Sequence, residues 1–297
     1  MSNQINMDRK TIIAITVVAI LLSAGVAGAF FFLKEKEDNR LTIKDLAATG
    51  NYLKIFGNAN GDYLLDEDDV QIIQDYVDGK ITEEDLIVVE ETENKNRFYL
   101  ADANCDGEVN EADIAVLRGI IDRTGSHMYI IDTFGYHLKV PLNIERIVCD
   151  YFAAAELLNM CGVQDKIVAA SKALLVLKDY YLMNVPDTSK VVNFNPGTGS
   201  SVDYEAVAEA DPQVWVISAA YKLVHRGNTS AVVLGLDSLV FDFDNVLASG
   251  PIMSALLAGY IFNAPEKGIA YVEWYLETWN RLNSKTENLT KEQRPTV

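Results

Sequence analysis

Twelve residues, Asp102 to Asp113, carry oxygen at regular intervals. Asp102, Asn104, Asp106, Asn110 and Asp113 fall at positions 1, 3, 5, 9 and 12 of the stretch. Gly107 stands at position 6, where a loop wrapped round an ion must turn sharply. Glu108 offers its main-chain carbonyl at position 7. This donor set suits a hard divalent cation such as Ca2+, which takes about six to eight oxygens. Without a cation the carboxylates repel one another.

A second stretch of the same kind starts 44 residues earlier, at Asn58 against Asp102. Its positions 1, 3, 5, 9 and 12 are Asn58, Asn60, Asp62, Asp66 and Asp69. Position 6 is Tyr63, not glycine. If that position needs positive φ, a bulky residue costs about 1 kcal/mol or more. The second loop is therefore expected to bind calcium more tightly. Each loop feeds an apolar stripe at helical spacing: Val70, Ile73, Tyr76 and Val77 after the first, Ile114, Leu117, Ile120 and Ile121 after the second. The ligand order is that of an EF-hand loop, with Asp for Glu at position 12. The pair of loop-plus-helix units, residues 51–125, resembles a dockerin module. That resemblance implies a small all-α unit holding Ca2+ and, through it, a cohesin-like partner protein. The insert Lys80 to Arg97 is longer than such modules carry.

Charge follows the loops. Residues 34–126 hold 23 acids against 10 bases, residues 127–297 hold 19 against 13, and residues 1–33 hold one against two. The net charge of −18 excludes the basic footprint of a nucleic-acid binder. Three cysteines, Cys105, Cys149 and Cys161, with no CxxC spacing, suggest neither a zinc site nor a disulfide framework.

The elements that carry these loops begin with a membrane anchor, residues 1–33. Thr11 to Leu33 is an uncharged apolar run of 23 residues. It would span about 34 Å against a hydrocarbon core of about 30 Å. Arg9 and Lys10 precede it, which keeps the short N-terminus inside and the rest of the chain outside the cell. A cleaved signal peptide ending at Ala27-Gly28-Ala29 is the competing reading, and the run is long for one. A charged linker, residues 34–50, follows.

From residue 129 to 297 the pattern is α/β. Tyr129–Ile131 and Tyr136–Val140 flank Asp132-Thr133-Phe134-Gly135 as a hairpin. Short apolar runs at 147–149, 167–170, 191–194, 214–217 and 239–241 alternate with helical patterns. Such alternation predicts a parallel sheet covered on both faces. A long amphipathic helix is predicted over 265–285.

This order resembles the first lobe of the substrate-binding proteins of ABC importers for iron complexes, haem and cobalamin. The residues that carry the resemblance are Asp132 and Gly135 of the hairpin, Glu145-Arg146-Ile147-Val148, Ala155-Glu156-Leu157-Leu158 and Asp165-Lys166-Ile167-Val168-Ala169. The stretch Val202 to Ile217 is the most specific, with Gln213 where the family carries Asp. The resemblance implies a Rossmann-like lobe plus long connecting helix, and a binding protein that is no enzyme. It implies an ABC permease as partner and a metal chelate as ligand: ferric siderophore, haem or cobalamin. The second lobe of that family has no counterpart in this sequence, so chelate binding is expected to be no tighter than about micromolar.

Ligands of open α/β sheets sit at the carboxyl ends of the strands. That rule selects Tyr151, Lys172, Asn195 and Tyr221 as ligand-binding candidates. Glu205 matches the family's permease-docking glutamate, and an exposed carboxylate on a rigid helix suits such docking. The alternative function is a cell-surface scaffold acting through a dockerin–cohesin contact. A hydrolase reading from Ser201, Asp203 and His225 lacks the G-x-S-x-G elbow.

Overall fold

The structure, a computed structural model, describes residues 42, 43, 45, 52–91, 94–195, 201–218, 231–241, 250–290 and 293. The expected membrane anchor, most of the linker, Tyr221 and His225 lie outside these residues. Among the described residues no helix is long and apolar enough to cross a membrane.

Helices α1 (Glu67–Val77) and α2 (Glu111–Ile121) each grow out of an oxygen-rich loop. Both open with a capping box. Asp66 accepts from Asp68 N while Asp69 accepts from Asp66 N, and Asn110 and Asp113 repeat the arrangement. Loop positions 9 and 12 thus also satisfy amides that a helix start leaves open. Val70 and Ile73 of α1 pack in one core with Ile114, Leu117 and Ile120 of α2. The insert between the units forms an antiparallel pair, β1 (Val88–Glu90) and β2 (Arg97–Tyr99). The expected all-α unit therefore carries a small sheet. Three-residue strands are too short to set up a readable alternation.

Strands β3 (His127–Ile131) and β4 (His137–Pro141) form the expected hairpin. Its turn is closed by Asp132, whose Oδ1 accepts from Phe134 N and Tyr136 N, both at 2.9 Å. Then come β5 (Ile147–Cys149), α3 (Phe152–Cys161), β6 (Ile167–Ala170), α4 (Lys172–Val176), α5 (Lys178–Tyr181) and β7 (Val192–Asn193). After them follow α6 (Tyr204–Glu209), β8 (Val214–Ser218), β9 (Asp237–Phe241), α7 (Gly250–Ile261) and α8 (Pro265–Thr286). α4 and α5 meet at Leu177.

The five strands β5 to β9 are parallel, in the order β7-β6-β5-β8-β9. Both faces are buried, as a parallel sheet requires. Ile147, Cys149, Val214, Val216, Leu239 and Phe241 share a core with α3 and α7. Val148, Ala169, Trp215, Ile217 and Val240 pack on the other face with Val207 of α6. α7 and α8 approach closely at glycine. A Cβ on Gly268 would sit 2.4 Å from the Ala255 carbonyl oxygen.

The loop units and the lobe share one core. Phe56 N donates to Tyr129 O and Ile131 N to Lys54 O, both at 2.9 Å, so residues 54–56 run beside β3. Arg123, just past α2, donates to the Tyr260 and Leu142 carbonyls and to Asn263 Oδ1.

Candidate functional site

The two oxygen-rich loops have nearly the same internal bonding. Asn60 N and Asn104 N each donate to the position-12 carboxylate, Asp69 or Asp113, at 3.1 Å. Asp62 N and Asp106 N donate to the asparagine at position 3, at 2.9 and 2.8 Å. Leu64 N and Glu108 N donate to Asp62 and Asp106, at 2.7 and 2.9 Å. The sequence repeat is thus a structural repeat.

Position 1 is where the loops part. Asp102 accepts from Gly107 N at 2.9 Å and Asp106 N at 3.2 Å. Asn58 instead donates its amide to Leu53 O at 2.6 Å and Asp62 O at 3.0 Å. Its Oδ1 is buried without a hydrogen-bond partner. A buried amide oxygen left open costs about 1–3 kcal/mol, and a cation would meet it.

The strain expected at Tyr63 is not there. Positive φ falls at position 4 in both loops, at Gly61 (67°) and Cys105 (56°), and additionally at Gly107 (95°). The residue holding a left-handed conformation without being glycine is Cys105, in the second loop. The argument for tighter binding by the second loop therefore loses its basis. What remains in that loop's favour is the carboxylate at position 1.

Asp69 and Asp113 are fully buried and Asp102 nearly so. Burial pushes Asp69 up to about 7, aided by Asp62 and Asp66. Burial likewise raises Asp62, Asp102 and Asp113. Carboxylates in that position take up either protons or a cation. Among the described residues no three His, Cys, Asp or Glu side chains close on one point as a metal set. Asn58, Asn60, Asn104 and Asn110 add side-chain amide groups to the carboxylates of the two loops.

Each loop also touches the lobe. Leu65 N, at position 8 of the first loop, donates to Tyr260 Oη of α7 at 2.9 Å. Burial pushes the Tyr260 hydroxyl up to about 12, and Asp62, Asp66 and Asp69 add to it. In the second loop Cys105 Sγ lies 3.6 Å from His137 Nε2 of β4. His137 is packed among Phe56, Phe98 and Tyr129. No sequence pattern marks Tyr260 or His137 as neighbours of the loops.

The second candidate region is the carboxyl edge of the parallel sheet. β5 lies between β6 and β8, and the chain winds outward from it in both directions. At such a switch point the loops diverge and leave a crevice. Asp150 and Tyr151 follow β5, Ser171 and Lys172 follow β6, and Asn195 follows β7. Lys172 N donates to Asn195 Oδ1 at 2.6 Å, so two of the candidates meet. Tyr151 is half-buried and begins an aromatic row. Its ring lies 4.5 Å from that of Phe152, which stacks on Tyr181 at 4.4 Å. Asp150 and Ser171 are buried. Val176, Tyr180 and Met183 are exposed on the same segment. Lys172 is exposed, so the region offers a cation, hydrogen-bonding groups and apolar rings together.

Glu205 is exposed in the first turn of α6, which Asp203 caps by accepting from Ala206 N at 3.1 Å. Gln213, the departure from the resembled pattern, accepts from Glu145 N and Arg146 N at 2.7 and 3.1 Å. Its amide donates to Asn143 O at 2.9 Å. It therefore ties the entry of β8 to the entry of β5, and an Asp could not supply that donor.

No family model matches the chain, and no curated protein does. Solved structures similar to it include the molybdate-bound periplasmic binding protein MolA of a Haemophilus influenzae ABC transporter, at 14% identity and a TM-score of 0.46. That match covers 56% of each chain. The TroA-like periplasmic binding protein FepB from Veillonella parvula matches at 14% identity and a TM-score of 0.46, over 55% of this chain and 50% of that one. The petrobactin-binding protein YclQ from Bacillus subtilis matches at 20% identity and a TM-score of 0.44, over 56% of each. The chain spans about half the length of these proteins.

Proposed function

We propose that this chain is a non-enzymatic, cell-surface substrate-binding protein of an ABC importer. Its lobe takes a metal chelate at the carboxyl edge of the sheet. The observation that carries the reading is the strand order β7-β6-β5-β8-β9, with Tyr151, Lys172 and Asn195 at one edge and an aromatic row beside them. A ferric siderophore, haem or cobalamin offers rings or rims for those aromatics and negative groups for Lys172. Tyr221 is taken as part of the same edge from its place in the sequence. Glu205 serves as the docking carboxylate for the permease. The uncharged run Thr11 to Leu33 anchors the chain and leaves the rest outside the cell.

The two loops hold calcium in this reading. The orphaned Asn58 Oδ1 and the raised, buried Asp69 support it in the first loop. Buried Asp102 and Asp113 support it in the second. Asp62, Asn60 and the Leu64 carbonyl would complete the first set. Asn104, Asp106 and the Glu108 carbonyl would complete the second. The bound ion would neutralise the carboxylates and hold α1 and α2 at their starts.

Fluorescence titration of the chain with haem, cobalamin and a ferric siderophore tests the cargo. At least one should bind, and Tyr151→Ala and Lys172→Glu should each weaken it about tenfold, the loss of roughly 1.4 kcal/mol. Binding of none of the three, or binding that ignores both substitutions, removes the reading.

A further inference from the structure

The first oxygen-rich loop is finished by a residue that lies 195 positions away from it in the chain. Tyr260 stands near the end of α7, inside the lobe. Its hydroxyl oxygen accepts the main-chain N–H of Leu65 at 2.9 Å. Leu65 is flanked by Leu64, whose carbonyl is the main-chain donor of the loop, and by Asp66, which caps α1. The main-chain carbonyl of Tyr260 accepts from Arg123, which follows α2. One residue of the lobe therefore grips both halves of the loop module: the first through its side chain, the second through its backbone.

We infer that Tyr260 is a positioning residue for the cation of the first loop, and that cation binding there and stability of the α/β lobe are linked through it. The inference rests on the calcium reading of the loop, which the buried, partnerless Asn58 Oδ1 supports independently of the carboxylates. With the Leu65 amide held, the Leu64 carbonyl keeps one orientation. A cation gripping that carbonyl in turn fixes Leu65 against Tyr260 and pins the end of α7. Linkage makes the effect reciprocal: whatever the lobe does for cation affinity, the cation does for the lobe. α7 packs against α8 and under β9, so its end is no loose appendage.

The tryptophans make the link readable. All three in the chain, Trp215, Trp274 and Trp279, belong to the lobe. Their fluorescence reports the lobe and not the loops. The experiment is thermal unfolding of the full chain followed by tryptophan fluorescence, in calcium chloride and in chelator. It is paired with calorimetric calcium titration of the wild type and of Tyr260→Phe, which keeps the ring and loses the hydroxyl. In the wild type, calcium should bind at two sites and raise the tryptophan transition. In Tyr260→Phe, one site should weaken about three- to tenfold, the usual effect of one hydrogen bond, while the other holds. The calcium-dependent rise of the transition should shrink with it. Calcium heat with a tryptophan transition that does not move overturns the link and leaves the calcium reading standing, as does Tyr260→Phe with both affinities unchanged. No calcium heat in the wild type removes the calcium reading and the link together.

Discussion

Asn58 and Asp102 hold the same place in their loops and act in opposite senses. Asp102 accepts two main-chain amides, from Asp106 and Gly107. Asn58 donates to two main-chain carbonyls, of Leu53 and Asp62. One loop is thus closed by a charge that waits for a counter-charge. The other is closed by an amide that already holds the backbone. The first loop should keep its shape better when calcium is removed.

Asn58→Asp turns the first loop toward the chemistry of the second. A carboxylate replaces a neutral ligand, so calcium affinity at that site should rise about tenfold or more. In chelator the same change should destabilise by about 1–3 kcal/mol, because two main-chain carbonyls, one of them in a buried bond, lose their donors. Calorimetry and melting in chelator check the two effects separately. A stabilised chelator form would contradict the bonding of Asn58.

Asp132 supplies a pH dependence. Its carboxyl is buried in the hairpin turn, and desolvation pushes it up to about 7, although Tyr136 and Phe134 amides oppose this. The folded state then binds a proton that the unfolded state, with its ordinary value near 3.8, has released. Stability from this group is full below about pH 4, falls as pH rises toward 7, and is level above that. Lys54 is the facing charge, and burial lowers it. The slope should be a few kcal/mol across the window and should vanish in Asp132→Asn. Urea midpoints of both proteins between pH 4 and 8, with calcium saturating, measure it. Equal slopes would mean that Asp132 is ionised throughout.

Gly268→Ala tests the closest helix contact. The added methyl would meet the Ala255 carbonyl oxygen at 2.4 Å and the Leu256 Cα at 3.4 Å. Backbone cannot step aside as a side chain can, so α7 and α8 must part. The expected cost is about 1–3 kcal/mol. It should appear as a lower denaturant midpoint with an unchanged slope. Gly79→Ala is the control for a glycine with open space around it, where only its positive φ of 71° counts.

Glu205→Arg should leave melting unchanged within about 0.5 kcal/mol, since the side chain is exposed. If Glu205 docks a permease as proposed, the change should reduce co-purification with it, because a charge reversal at an interface replaces attraction with repulsion. Undiminished co-purification would return Glu205 to an ordinary surface position.

Much of this architecture is legible in the sequence. Ile147–Cys149, Ile167–Ala170 and the long helix from Pro265 stand where apolar runs and helical spacing put them. These are local signals, read within one turn or one strand. The twin loops were legible for the same reason, as spacing within twelve residues. What escaped was non-local. Tyr63 needs no positive φ, because both loops turn left-handed at position 4, Gly61 in the first and Cys105 in the second, and only the second repeats it at Gly107. The bond from Leu65 to Tyr260 and the approach of Cys105 to His137 join residues with no periodic relation. Gln213 departs from the resembled pattern, and its three partners explain the departure.

The alignment of residues 54–56 with β3 bears on how the chain is born. Lys54 and Phe56 find their partners, Ile131 and Tyr129, more than seventy residues along. A chain emerging from its N-terminus exposes that segment well before β3 is made. Until then its amides and carbonyls form an open edge of the kind that recruits stray strands. The first loop can close early on its own short-range bonds, but its floor arrives late. Folding of the loop units should therefore trail synthesis by the time needed to deliver the hairpin, and so be slow for such small helical pieces. A chain halted before residue 127 would present a pair of half-built loops, soft enough for a protease to cut.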